Sequence, residues 1–275
     1  MRNRPGMTLA EMLVGLVVAS LLGASLIQLM VVQSQFFNRQ EGRANARAVS
    51  RSATNLMIAE LRMVEPTGGV MAASPTSIEF RVPFATGIVC QTSGTTTVMF
   101  PPMDSVLWAE GVKSNAMDGY AFLTSSGTYT YWPGSVSFGS ASVSDCTGVG
   151  LSMVPGGAVV GIAPPAAGTT AGAPFFLYQR IQYSFANSVS VPGQIGLWRT
   201  ILNRSLTEEV AAPFDSTAKF QFYVAGSNTP QASAPSPLSD LRGVELQLTA
   251  RNERTQGGGA AELSPLATAV LFKNQ

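Results

Sequence analysis

A chain of 275 residues with no histidine and a net charge of +1 excludes imidazole acid–base catalysis, Ser-His and Cys-His nucleophiles and His-ligated metals, and gives no electrostatic reason to expect a nucleic-acid partner. Charged residues make up only 12%, while Gly (27) and Pro (17) are abundant, a composition of strands and loops rather than of a helical bundle. Two cysteines, Cys90 and Cys146, allow a disulfide closing a loop of roughly 55 residues if that region lies outside the cytoplasm, and two buried thiols if it does not.

Residues 1–6 form a short polar leader carrying Arg2 and Arg4 and ending in Pro5-Gly6. From Met7 to Val32 the only charge is Glu11. As a helix rising about 1.5 Å per residue, this run is roughly 39 Å long, enough to cross a ~30 Å hydrocarbon core with some tilt. The two arginines hold the N-terminus in the cytoplasm and place the rest outside. A secretory signal peptide would have a shorter apolar region and a small-residue cleavage site after it, and no such site follows Val32.

No proline interrupts 7–65, and 33–64 is rich in good helix formers. The helix is therefore expected to continue past the membrane to residue 65. Val49, Ala53, Leu56, Met57, Leu61 and Val64 form its amphipathic stripe. Arg39, Arg43, Arg47 and Arg51, spaced by four, drift slowly along another face and meet solvent, lipid headgroups or acidic neighbours. Gly15, Gly23 and Gly42 are weak points, and Pro66, Gly68 and Gly69 stop the helix.

Beyond residue 66 the period changes to two. Strands are expected at Ile78–Val82, Thr96–Phe100, Thr128–Trp132, Phe175–Phe185, Gly196–Leu202, Lys219–Val224, Val244–Ala250 and Thr268–Phe272. The fourth and fifth should form a hairpin across Val191-Pro192-Gly193. Ser205 and Glu208 fit a capping box, which predicts a short helix over Leu206–Ala212. Gly134–Gly150, Val154–Pro174, Gln231–Pro237 and Gly257–Gly259 read as loops. The chain is thus α+β: leader 1–6, long helix 7–65 with 7–32 in the membrane, and a β-rich extracytoplasmic domain 66–275.

Catalytic signatures are missing. There is no phosphate-binding Gly-x-x-x-x-Gly-Lys-Ser/Thr loop, Gly-x-Ser-x-Gly elbow, Cys-x-x-Cys or EF-hand run, so no catalytic residue, cofactor or metal is expected. Asp104, Glu110, Asp118 and Asp145 read as scattered surface acids, and Phe175, Phe176, Tyr178, Tyr183, Phe185 and Trp198 as sheet faces and core. Glu11 needs an explanation, because a carboxylate in hydrocarbon is costly. It stands about 6 Å along the helix from Met7. If the leader is cut after Gly6, Met7 gains a free amine, and the amine of one chain can meet Glu11 of a staggered neighbour in low dielectric.

Gly6-Met7-Thr8-Leu9-Ala10-Glu11-Met12-Leu13-Val14 resembles the prepilin motif of type IV pilins and type II secretion pseudopilins. The resemblance implies that Gly6 precedes the scissile bond, that Met7 is the N-methylated mature terminus, and that Glu11, with Met7, acts in subunit assembly. Met7 departs from the commoner Phe, and Ala10 from the commoner Ile or Val. More loosely, Glu60-Leu61-Arg62, Ile181-Gln182-Tyr183, Leu197-Trp198-Arg199 and Phe220-Gln221-Phe222-Tyr223 are similar to PilW-type minor pilins and the J-type pseudopilin. What this implies is a non-enzymatic subunit at or near the tip of a filament. It would be held in the inner membrane with its N-terminus cytoplasmic and in contact with lipid before assembly. Its partners would be prepilin peptidase, the inner-membrane assembly platform and other pilins. A tip adhesin using loops 134–174, and a membrane-anchored enzyme or sugar-binding module, remain open readings.

Overall fold

The computed structural model describes residues 9–92, 94–103, 117–251 and 263–272. Gly6, Met7, Asp104, Glu110 and the 257–259 glycines lie outside the described residues.

Helix α1 runs unbroken over Leu9–Leu61, 53 residues, and ends four residues before the expected limit, in a turn ahead of Pro66. It is long and apolar enough to cross a membrane, and none of its most apolar window is buried in the protein. Its first half touches little: large hydrophobics from Leu9 to Phe37 stand exposed. The second half packs on the domain through Gly42, Ala46, Ser50, Ala53, Thr54, Met57, Glu60 and Leu61. At about 100° per residue these form one stripe. Its upper part is small, which lets the helix lie close to the sheet. Gly42, expected as a weak point, is buried in continuous helix. Leu56, expected in the stripe, points outward at 39% exposure, because it lies about 100° round from Met57.

The rest is one antiparallel sheet of thirteen strands among the described residues. In chain order they are β1 Val70–Ser74, β2 Ser77–Gln91, β3 Thr96–Phe100, β4 Gly119–Leu123, β5 Tyr129–Pro133, β6 Ser137–Ser140, β7 Ala158–Ala163, β8 Pro174–Asn187, β9 Ile195–Ile201, β10 Leu206–Phe214, β11 Lys219–Val224, β12 Leu241–Arg251 and β13 Leu263–Leu271. A short helix, α2 (Val143–Thr147), sits between β6 and β7. The spatial path is β11-β12-β10-β9-β8-β2-β3-β7-β6, with β1 beside β2, β13 beside β12, and the β4–β5 hairpin joined to β8.

Two apolar cores share the long β2–β8 pair. The first lies under α1 and is built from Ile78, Phe80, Ile181, Tyr183, Phe220, Phe222, Leu246 and Leu248 with Met57 and Leu61. The second packs Phe100, Tyr120, Phe122, Phe175 and Leu177 at the other end. A register shift between Pro83 and Ala85 flips the parity of β2, so that Ile78, Phe80 and Val82 face the first core and Ala85 and Val89 the second.

The expected helix over Leu206–Ala212 is instead strand β10, paired with β9 from Leu206↔Ile201 to Phe214↔Ile195. Ser205 is not the N-cap of a helix; it closes the 3-10 turn Leu202–Arg204 from its C-terminal side, in a left-handed conformation with φ 50°, its backbone N–H donating to the Leu202 carbonyl. Glu208 lies across from Arg199 and binds it. A serine followed three residues later by a glutamate suits this hairpin as well as a helix start, and the free edge of β9 decides between them. The two long loops also contain more structure than their composition suggests. Gly134–Gly150 holds β6 and α2, and Val154–Pro174 holds β7.

Candidate functional site

Of the residues singled out at the N-terminus, Glu11 is described. It sits in the first turn of α1, exposed on the helix. Asp118 and Asp145 are not brought together as a site. Asp118 accepts the Arg180 backbone N–H at 2.7 Å, and burial raises its pKa despite the Arg180 charge. Asp145 closes a capping box on α2 with Ser142 and accepts from Thr97 at 3.2 Å. Among the described residues no three His, Cys, Asp or Glu side chains group as metal ligands.

Cys90, at the end of β2, and Cys146, in α2, are joined as a disulfide across a separation of 56 residues. Both are fully buried, with Met99 beside them. The bond ties α2 to β2 and β3 in a stretch otherwise poor in apolar side chains.

A dense polar cluster lies where the helix meets the sheet. Glu60 projects from the buried stripe of α1 and is 8% exposed. Its carboxylate accepts the Tyr183 hydroxyl at 2.7 Å. It also accepts two Arg199 donors, Nη2 at 2.7 Å and Nε at 3.1 Å. The remaining Arg199 arm donates to Glu208 at 3.1 Å. Tyr183 and Arg199 face each other across β8 and β9, so one acid on the helix binds a cross-strand pair in the sheet. Burial, then the Glu60 charge and hydrogen bond, push the Tyr183 pKa well up. Burial alone would lower the Arg199 pKa, but the Glu60 hydrogen bonds and charge reverse the sign and raise it. The fork geometry of the guanidinium fixes helix rotation as well as distance.

A second clamp holds the turn after α1. The Arg81 guanidinium lies over the Tyr131 ring at 4.3 Å and the Tyr178 ring at 5.3 Å, and its Nη1 donates to the Gly68 carbonyl. Glu65, in the same turn, has its pKa raised by burial. Beside it Arg180 and Glu79 pair at 2.6 Å. The Glu60 clamp binds the last turn of α1 to β8 and β9, and the Arg81 clamp binds the turn after α1 to β2, β5 and β8.

The chemistry of this arrangement is that of a rigid joint: a buried stripe, one paired acid and a cation on aromatic rings. The sequence singled out Glu60 only within Glu60-Leu61-Arg62, and nothing in that one element showed that it pairs with Tyr183 and Arg199. The available clue was an acid at a stripe position, between Met57 and Leu61. No family model, curated protein or solved structure matches the chain.

Proposed function

We propose that this chain is a minor pilin or pseudopilin: a subunit stored in the inner membrane, cut after Gly6 by prepilin peptidase, methylated at Met7, and incorporated at or near the tip of an extracytoplasmic filament. The observation that carries the reading is Glu11, an acid in the first turn of an apolar helix that continues unbroken to Leu61. A simple anchor has no use for that charge or for the 29 further residues of helix from 33 to 61, whereas a filament subunit uses both. In this reading Glu11 meets the Met7 amine of a neighbour during extraction from the bilayer, and the exposed apolar half of α1 exchanges lipid for neighbouring helices. The Glu60 and Arg81 clamps then hold the globular domain at a fixed orientation on the helix. The assembly platform, its ATPase and the other pilins are partners of this chain.

The test is Glu11→Ala in cells that assemble the filament. Processing should continue, while the amount of this chain recovered in sheared filaments should drop several-fold. Equal recovery of variant and wild type would sink the amine–carboxylate account.

A further inference from the structure

The last strand, β13, lies at an edge of the sheet. It pairs with β12 from Leu263 to Leu271, and among the described residues no strand runs along its other side. An open edge is a template for further pairing, and proteins blunt such edges with charges, bulges or short length. β13 has none of these protections. Its register with β12 is unbroken, and 263–271 contains no charged residue. The edge of β11 on the other side of β12 is closed: Phe222 exchanges both backbone hydrogen bonds with Gln231, and the Phe220 N–H donates to the Pro75 carbonyl.

The hydrogen bonds on either side show which backbone groups of β13 stand open. The Phe272 N–H donates to the Arg242 carbonyl, toward β12, and the Thr249 carbonyl accepts from Asp215, away from β13. Thr249 lies opposite Pro265. In the alternation of an antiparallel ladder, the even-numbered residues of β13 therefore face β12 and the odd-numbered ones face outward. The same odd-numbered side chains, Leu263, Pro265, Ala267, Ala269 and Leu271, are exposed. They stand on the face opposite the first core, which takes Leu266 and Val270. Pro265 has no N–H and closes its own position. Ala267, Ala269 and Leu271 are left with three N–H and three carbonyl groups turned to the open edge. Two of the three side chains are single methyl groups, which leave space beside them.

We infer that this edge accepts one extended, apolar strand from a different subunit of the filament, laid along 267–271. The edge sets the chemistry of its occupant. Backbone hydrogen bonds hold an added strand, and the side chains beside it select the sequence. Bulky apolar side chains fit opposite Ala267 and Ala269, and Pro265 marks where pairing stops. A second copy of this chain does not fit. Antiparallel pairing of two β13 strands relates the copies by a two-fold axis through the sheet. Helix α1 packs on β12 and β13, so that axis reverses its direction, whereas copies held in one membrane keep their helices parallel. The contact joins unlike subunits and goes no further, as suits a minor subunit at or near a tip. It rests on the filament reading and names the surface by which the globular domain holds its neighbour.

The test uses full-length chain in cells that assemble the filament. Ala269→Pro removes the central open N–H and leaves the pairing with β12 alone, and Ala269→Ser keeps that N–H and a small side chain. The proline variant should hold the wild-type Tm to within about 2 °C and be cut to the Met7 terminus. Its recovery in sheared filaments should fall about tenfold, because a carbonyl of the incoming strand loses its donor. Ala269→Ser should be recovered like wild type. Amide exchange of the wild-type chain reads the same edge without a substitution, and it decides if the proline lowers Tm further. The Ala267, Ala269 and Leu271 amides should exchange at least about tenfold more slowly in filaments than in chain purified in detergent, while those of Thr268 and Val270 are slow in both. Full recovery of a stable Ala269→Pro chain, or equal exchange in the two states, overturns the contact. So does a disulfide between two Ala269→Cys chains, whose native cysteines are tied to each other, since a second copy would then hold the edge. A wild-type chain with an uncut terminus removes the filament reading itself, and a cut one with unprotected amides removes the strand contact alone.

Discussion

Glu60→Ala tests the joint between helix and domain. The change removes the acceptor of the Tyr183 hydroxyl, which is fully buried, and the acceptor of the Arg199 Nε and Nη2 donors. A buried hydroxyl without an acceptor costs about 1–3 kcal/mol, and breaking a buried ion pair from one side costs about 3–5 kcal/mol. These costs overlap, and Arg199 keeps Glu208 as a partner. We therefore expect about 3 kcal/mol in total, toward the low end of the second range. In a domain of this size that lowers Tm by about 6–12 °C. Glu60→Gln keeps one acceptor for Tyr183 and should lose about half as much. A Glu60→Ala/Arg199→Met double variant should be more stable than the sum of its single changes, because no buried charge is left over. The assay is thermal unfolding of the full chain in detergent, followed by near-UV circular dichroism. A Tm for Glu60→Ala within about 2 °C of wild type would show that the helix is held by apolar packing alone.

Other outcomes follow from the same structure. Replacing Cys90 and Cys146 together by Ser should cost about 4 kcal/mol by the loop-entropy relation for a loop of this length, read as a lower urea midpoint with a steeper slope, because the unfolded chain is then less compact; an unchanged midpoint would mean that the bond adds nothing to the fold. Alkaline pH should destabilise the domain. The Tyr120 pKa is raised by burial from 10.0 to about 12, and burial raises those of Tyr131 and Tyr183 as well. Each group favours the folded state fully below the unfolded pKa, and that contribution fades as pH climbs from about 10 toward about 12. Tm measured across that interval should fall, and a flat profile would contradict the burial of these hydroxyls.

Much of the fold was legible in the sequence where one element suffices to define itself. The apolar run and the proline-free stretch after it gave α1, a β-branched and apolar run gave β3 and period-two alternation gave β11, both at their observed bounds, and the alternation in β8 pointed to the β8–β9 hairpin. What stayed hidden depends on partners far along the chain. β4 is almost wholly buried and so shows no alternation. β7 is a short apolar run in Gly- and Pro-rich surroundings and becomes a strand by pairing with β3, some sixty residues earlier. β10 carries a helix-start pattern that its pairing with β9 overrides. The same holds for the site. Glu11 stands out because its surroundings are uniformly apolar, whereas Glu60 acquires its meaning from Tyr183 and Arg199, more than a hundred residues away.

The most direct test of the central claim is the mass of the N-terminal peptide of chain purified from cells that assemble the filament. The account predicts a peptide that begins at Met7 and carries one methyl group on its amine, and a Gly6→Ala variant that keeps residues 1–6. A wild-type peptide that still contains Arg2 and Arg4, or one cut after residue 32, would contradict it.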